Sequence, residues 1–369
     1  MSRALDKHTI AALKAGNPQA AYDSISSVLV SLPPDGLLEI EILGKEVPLP
    51  EGTYVLQDGL AVGVSKLGLV QAFLVARKML TNYIGGTGET GTTMGTEGRS
   101  ITEHSSTESA PILNEQLLAA TAVILLMDPE FITAANTRKR LIQKYITFDR
   151  QRTEDIRSVL EKEKRFLDSL LTSRLHRHTK SPTLWNHRRW LVETFASTLG
   201  FYPEDVTADI TNIVLMAGER HPRNYYAWCH ARTILRLATQ GKDNYDHLLK
   251  LIEAVKKWCF RNHTDISGWS FLFHLLDLYS GSGNSKMVES TFTEVLDMAS
   301  ALNLTNESVW AFLRTMAASG IVGGNSSEQF TSIGQQLLYK LVSAEQQHST
   351  DERVLRQALD WYETFRVRS

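Results

Sequence analysis

Four of the seven tryptophans in this 369-residue chain stand on a lattice: Trp185, Trp228, Trp269 and Trp310 follow one another at intervals of 43, 41 and 41 residues. A constant interval of about 40 residues marks a repeat architecture, in which one supersecondary unit buries its apolar face only by stacking on the next. The surroundings of each anchor recur as well. An apolar-periodic run leads into a short connector rich in Asn, Pro, Ser, Thr and Asp, and the Trp then opens a second run. The connectors read HRHTKSPTL, ERHPRNYYA, RNHTDISG and LNLTNESV. Ahead of Trp185 the apolar positions are Ile156, Val159, Leu160, Phe166, Leu167, Leu170 and Leu171; ahead of Trp269 they are Leu248, Leu249, Ile252 and Val255. Both spacings are helical. Each unit is therefore predicted to be a helical hairpin, and the chain an all-α stack of antiparallel hairpins.

A further unit lies 50 residues before Trp185, with Ala135 at the anchor position. Helical stretches at 333–342 and 354–362 are predicted to close the stack, whose terminal units need not match the rest. Two segments leave the lattice. Residues 37–62 alternate apolar and polar positions between turn residues, which predicts a short hairpin or extended arm. Residues 83–111 are mostly Gly, Thr, Ser and Glu with almost nothing to bury, which predicts a disordered loop. Its GGTGETG lacks the Lys and Ser/Thr of a phosphate loop. The expected organisation is an N-terminal helix, arm and lead-in helix over 1–82, the loop over 83–111, and the repeat domain over 112–369.

Composition narrows the function. With 39 Lys plus Arg against 41 Asp plus Glu, the formal charge is −2, which leaves no basic surplus for nucleic acid. Cys229 and Cys259 stand 30 residues apart without a C-x-x-C partner, which argues against a disulfide framework and a zinc knuckle. No window reaches the roughly 18 apolar residues of a membrane span, and no signal peptide is visible. A cytoplasmic protein follows as the expectation. His176, His178 and His187 lie among Arg and Lys at spacings that do not suit a metal, so capping or surface roles are expected and no metal is assigned to this chain.

Within the repeats, Trp185-Asn186-His187-Arg188-Arg189-Trp190 is matched by Trp228-Cys229-His230-Ala231-Arg232 and more faintly by Trp310-Ala311-Phe312-Leu313-Arg314. Helical positions i and i+4 share a face, which pairs Trp185 with Arg189, Trp228 with Arg232 and Trp310 with Arg314. These residues are expected to stack one hairpin on the next, with the Arg capping a neighbouring carbonyl or lying over an indole. In a stack of hairpins the connectors emerge along one rim. That rim collects Arg174, Arg177, Lys180, Arg188 and Arg189, then Arg220, Arg223 and Arg232, with the hydroxyls of Tyr225 and Tyr226. A phosphate or diphosphate suits such a set through charge-assisted hydrogen bonds. The plainer reading is a solvated rim of ordinary ion pairs.

The units TKSPTLWNHRRWLVETF, HPRNYYAWCHARTILRL and DPEFITAANTRKRLI resemble the protein prenyltransferase alpha-subunit repeat, and the likeness spans residues 113–318. It is nearest to the branch that serves as alpha subunit of type III geranylgeranyltransferase. The resemblance implies a right-handed superhelix of hairpins wrapped around a separate beta subunit of the Rab geranylgeranyltransferase type. That partner would hold the zinc and the lipid pocket. The implied reaction transfers geranylgeranyl from its diphosphate to a cysteine of a SNARE or Rab-type protein. Carried over by position, Lys180, five before Trp185, would lie near the diphosphate. The Tyr that the family places three before that Trp is Pro182 here. Tyr225 and Tyr226 take the places of Tyr and His three and two before Trp228, and Phe271 and Phe273 stand where the next unit would have His and Arg. A different class of reading is a non-catalytic helical-repeat adaptor that binds a protein partner on its concave face.

Overall fold

A computed structural model describes residues 16–44, 46–86, 113–148, 153–199, 203–239, 245–281, 285–343 and 349–366. They fall into two compact units, Met1–Gly200 and Phe201–Ser369. Most of the 83–111 segment lies outside the described residues; helix already runs through Ile84 at its start.

The first unit begins with α1 (Pro18–Val30), whose Asn17 caps it by accepting from the Ala20 N–H at 3.1 Å, with Pro18 at the first helical position. The alternating 37–62 segment becomes more than a hairpin. Strands β2 (Val55–Asp58) and β3 (Ala61–Ser65) pair antiparallel around a Gly59-Leu60 turn, and β1 (Glu39–Leu43) pairs parallel to β3, with Ile40 opposite Val62. Gly59 takes φ +57, a conformation that favours glycine. The outer edge of β1 meets no strand. Ser169 and Ser173 accept from the Leu38 and Ile40 N–H groups, each at 3.0 Å, and Ser173 donates to the Leu38 carbonyl at 3.2 Å. Both serines belong to a helix more than a hundred residues downstream, and they satisfy backbone groups that burial would otherwise orphan.

Helix α2 (Lys66–Ile84) leads to α3 (Glu115–Met127), in which every residue from Ala120 to Leu126 is buried. It is apolar all round because α1, α2 and the following helix cover it. Helices α3 and α4 (Ile132–Phe148) form the first hairpin. Helices α5 (Thr153–Thr172) and α7 (Pro182–Phe195) form the second, joined through the four-residue α6 (His176–Thr179).

The second unit opens with α8 (Pro203–Asp209), which runs through a π-helical turn, Ile210–Val214, into α9 (Leu215–Arg220). It pairs with α10 (Tyr225–Thr239). The hairpins α11 (Tyr245–Arg261) with α12 (Ile266–Ser280) and α13 (Ser285–Ala301) with α14 (Glu307–Ala318) follow, and α15 (Gly324–Ser343) and α16 (Ser349–Phe365) close the series. The fold is all-α helical repeat, with one small sheet among the described residues.

Each lattice Trp occupies the fourth residue of its second helix, as does Ala135 in α4. Four residues earlier stand Ser181, Asn224, Asp265 and Asn306, residue types that cap helix N-termini. Ser181 Oγ accepts from the Leu184 N–H at 3.1 Å, and Asp265 Oδ1 from Ser267 and Gly268 at 2.9 and 3.1 Å. The indole N–H of Trp185, Trp269 and Trp310 donates to the carbonyl six residues upstream, Thr179, His263 and Leu304, at 2.8, 2.9 and 2.7 Å. The Trp thus plugs the core and ties down its own connector in one step. Trp228 differs: its counterpart position is Pro222, and its indole nitrogen has no hydrogen-bond partner among the described residues. Instead its ring meets Trp258 edge-on at 5.1 Å.

In the second unit, stacking runs from each Trp to the next repeat. Trp228 meets Phe271 at 5.4 Å and Trp269 meets Phe312 at 5.1 Å, the partner in both cases lying two residues after the next Trp. Trp310 meets Phe330 at 5.7 Å. Positions 0 and +2 lie about 200° apart on a helix, so one faces the following repeat and the other the preceding one. The +2 position is buried in all four units, as His187, His230, Phe271 and Phe312.

Candidate functional site: the hairpin connectors

In the first unit the connector 173–181 is held from several sides. Thr179 donates to the Ser173 and Leu175 carbonyls, each at 3.1 Å, and its own carbonyl accepts from Trp185. Ser181 donates to the Pro129 carbonyl at 3.1 Å, and Thr183 to Glu130 at 2.7 Å, which joins this connector to the one before it. The His178 Nε2–H faces the last carbonyls of α3, Leu126 at 2.9 Å and Leu125 at 3.1 Å. Burial pushes His178 down to about 4, so at neutral pH the ring is a neutral donor that caps a neighbouring helix. Between buried Thr179 and Ser181, Lys180 projects into solvent from a fixed backbone.

In the first unit, four of the five predicted rim cations are already neutralised. Arg174 pairs with Glu41 at 3.6 Å, Arg177 with Asp128 at 3.0 Å and Arg189 with Glu193 at 2.9 Å. Arg188 is fully buried against Asp168, with Nε 2.5 Å from Oδ1. Of these five cations Lys180 alone has no carboxylate partner among the described residues. The expected Trp185 and Arg189 pairing is corrected here. Arg188 faces the core because α7 is enclosed on the side of α5, whereas Arg189 is turned to solvent along its own helix.

His187 departs from the surface role expected of it. It is fully buried, with Nε2 3.3 Å from Glu163 Oε1 but no hydrogen-bond partner among the described residues, and burial pushes it down to about 3. Burial raises Glu163, but the Arg138 charge and hydrogen bonds outweigh it and hold the carboxyl below its usual range. Arg138 grips both oxygens of Glu163, at 2.9 and 2.6 Å. A cavity of about 330 Å³ beside this pair is walled by Leu29, Leu118, Ile142, Val159 and Phe166, and no sequence-predicted site residue lines it.

In the second unit the connectors are again hydrogen-bonded to one another. The Arg223 N–H donates to Asp265 Oδ2 at 2.6 Å, which holds Arg223 at φ +59; Asn306 Nδ2 donates to the His263 carbonyl at 2.7 Å, and Ser308 to Thr264 at 2.9 Å. Tyr225 and Tyr226 stand at the start of α10, 65% and 36% exposed, with rings edge-to-face at 5.7 Å. A hydrogen bond shared with the Cys229 thiol, one turn along, raises the Tyr225 phenol. His230, further along the same helix, is buried. Arg232 reaches across to α12, donating to Ser270 Oγ at 2.9 Å and to its own Trp228 carbonyl at 3.3 Å, with the guanidinium 5.6 Å from the Phe271 ring centre. Arg314 lies over the Trp361 indole at 5.1 Å. Sequence reasoning missed Ser270 and His274 on α12, which carry no motif and matter only through Arg232.

Among the described residues no group of three or more His, Cys, Asp or Glu side chains could hold a metal ion, and no helix is long and apolar enough to cross a membrane.

Residues 184–291 match the ECM9 middle domain, and residues 160–195 match the protein prenyltransferase alpha subunit repeat. Protein ECM9 of Saccharomyces cerevisiae is 31% identical over 173 residues, 46% of this chain and 42% of that protein. Protein prenyltransferase alpha subunit repeat-containing protein 1 of Danio rerio is 29% identical over 178 residues, 44% of this chain and 38% of that protein. The match thus spans about two fifths of both relatives. The geranylgeranyl transferase type-2 subunit alpha of Dictyostelium discoideum is 20% identical over 261 residues, 61% of this chain and 80% of that subunit. The hairpin that fixes Lys180 above Trp185 falls within the matched stretch 160–195, so the chain carries the protein prenyltransferase alpha subunit repeat.

Proposed function

We propose that this chain is the alpha subunit of a heterodimeric protein prenyltransferase, active only with a beta subunit that holds the zinc and the isoprenoid. The observation that carries the reading is Lys180: exposed, free of any carboxylate among the described residues, and fixed on a connector by Ser181, Thr179 and the Trp185 indole. It stands five residues before Trp185 within the matched repeat. The similarity to geranylgeranyl transferase type-2 alpha subunits favours geranylgeranyl as the transferred group. In such a transfer a carbon–oxygen bond to diphosphate breaks as a carbon–sulfur bond forms to the acceptor cysteine, whose thiolate the partner's zinc would supply. Negative charge grows on the departing diphosphate. An unpaired ammonium on a rigid backbone stabilises that charge without having to break an ion pair first.

Reconstitution tests this. The chain is co-expressed with a Rab geranylgeranyltransferase-type beta subunit and supplied with labelled geranylgeranyl diphosphate and a SNARE or Rab-type acceptor ending in cysteine. Transfer that requires both subunits supports the proposal. A stable complex without transfer replaces it with the adaptor reading, and the absence of a complex removes it.

A further inference from the structure

The two arginines buried in hairpin packing, among the described residues, are each matched by a buried carboxylate: Arg138 by Glu163 and Arg188 by Asp168. Arg232 has no such match. It is about half withdrawn, burial lowers its proton affinity, and among the described residues it pairs with no carboxylate. Its neighbours are neutral or cationic. Ser270 Oγ holds one Nη at 2.9 Å, the Phe271 face lies 5.6 Å away, and Cys229 and Tyr225 line the same face of α10 one and two turns toward its start. One turn beyond Ser270 on α12 stands half-buried His274, its ring centre 6.3 Å from that of Phe271, the ring that Arg232 faces; burial and then the Arg232 charge lower its proton affinity, and Asp277, exposed on the following turn, acts against them. A half-withdrawn cation with no counter-charge is left for water or an anionic ligand to satisfy.

We propose that Arg232, Ser270 and His274 form a binding site for a phosphoryl oxyanion, with Tyr225 at its open end. Guanidinium, hydroxyl and imidazole together offer a forked charged donor, a neutral donor and a donor that gains a proton when an anion arrives. That set suits the clustered oxygens of a phosphate or diphosphate better than a single carboxylate. The choice of diphosphate as the larger ligand rests on the prenyltransferase reading. The site itself does not, because all four residues belong to the second unit of this chain.

Anion binding has a signature that a packing role would not give: it raises the proton affinity of His274. The full chain, without any beta subunit, is labelled at histidine and titrated by NMR with inorganic pyrophosphate and separately with inorganic phosphate, and His274→Gln assigns the signal. The expected result is a rise in the His274 pKa of about one unit on saturation, the size of a charge-assisted hydrogen bond to the bound anion. Arg232→Gln should abolish the pyrophosphate response while raising the pKa of the anion-free protein, since the nearby positive charge is gone. Arg232→Lys keeps the charge but loses the fork, and should weaken binding about tenfold. Tighter binding of pyrophosphate than phosphate identifies a diphosphate ligand, and equal binding a single phosphoryl group. A His274 titration that ignores both anions in the wild-type chain overturns the proposal. Prenyl transfer by the heterodimer with Arg232→Gln unimpaired would leave the prenyltransferase reading standing while removing this site from it.

Discussion

Replacing Arg188 by Met separates the buried register of the repeat from its solvent register. Arg188 has no exposed surface, and its partner Asp168 is 3% exposed, with Nε to Oδ1 at 2.5 Å. Removing one member of a buried pair leaves an uncompensated charge and costs about 3–5 kcal/mol. Methionine keeps most of the stem volume, so the loss is chiefly electrostatic. Lys164 Nζ still reaches Asp168 Oδ2 at 2.8 Å from a partly exposed position, which relieves some of the strain on that carboxylate. The low end, about 3 kcal/mol, is therefore expected. In urea denaturation followed by circular dichroism this lowers the midpoint by about 1 M, for a slope of about 3 kcal/mol/M. Hydrogen exchange should locate the loss in α5 and α7. Combining Arg188→Met with Asp168→Leu removes both charges and should recover to within about 1 kcal/mol of wild type. The neighbouring Arg189→Met breaks only an exposed pair with Glu193 and should change stability by less than about 0.5 kcal/mol. If Arg188→Met matched Arg189→Met, or if the double variant were as unstable as the single one, the assignment of the buried ion pair to this position would be wrong.

Two further outcomes follow from the same packing. Trp310→Phe loses the 2.7 Å bond to the Leu304 carbonyl as well as ring volume, whereas Trp228→Phe loses volume alone; the first should be less stable than the second by about 1 kcal/mol in chemical denaturation, and the reverse order would refute the connector-tethering role of the indole. His178 titrates at about 4 when folded against an ordinary 6.5, so the unfolded chain binds more protons and stability falls as pH drops from about 6.5 toward 4; the loss, up to about 3 kcal/mol, should shrink in His178→Gln, and an unchanged pH slope would contradict the neutral capping role.

The Trp-anchored hairpins were legible because the same physical event recurs in each of the four: a residue of capping type precedes the second helix, and four residues later an indole enters the core. Spacing alone exposes that. Which arginine of Arg188-Arg189 turns inward was not legible, because helical periodicity says which residues share a face but not which face a neighbouring helix covers. Nor does the sequence around 37–62 show that β1 lies parallel to β3, since its outer edge is completed by Ser169 and Ser173 from a distant helix. Trp258 stands off the lattice and is nonetheless fully buried, in a space left by Gly218 and Gly268; a Cβ at Gly268 would lie 2.5 Å from its ring. At the candidate site, basic residues could be counted along the rim, but their value depends on acids elsewhere: Glu41 and Asp128 neutralise Arg174 and Arg177, and nothing in the connector's own sequence announces it.

Lys180 carries the functional account, and the single-turnover rate of geranylgeranyl transfer by the reconstituted heterodimer tests it most directly. Lys180→Ala should assemble with the beta subunit as tightly as wild type and slow the chemical step by about 10- to 100-fold, the loss of one charged donor to the departing diphosphate. Arg at the same position should restore part of the rate. A heterodimer carrying Lys180→Ala that turns over at the wild-type rate would contradict the account.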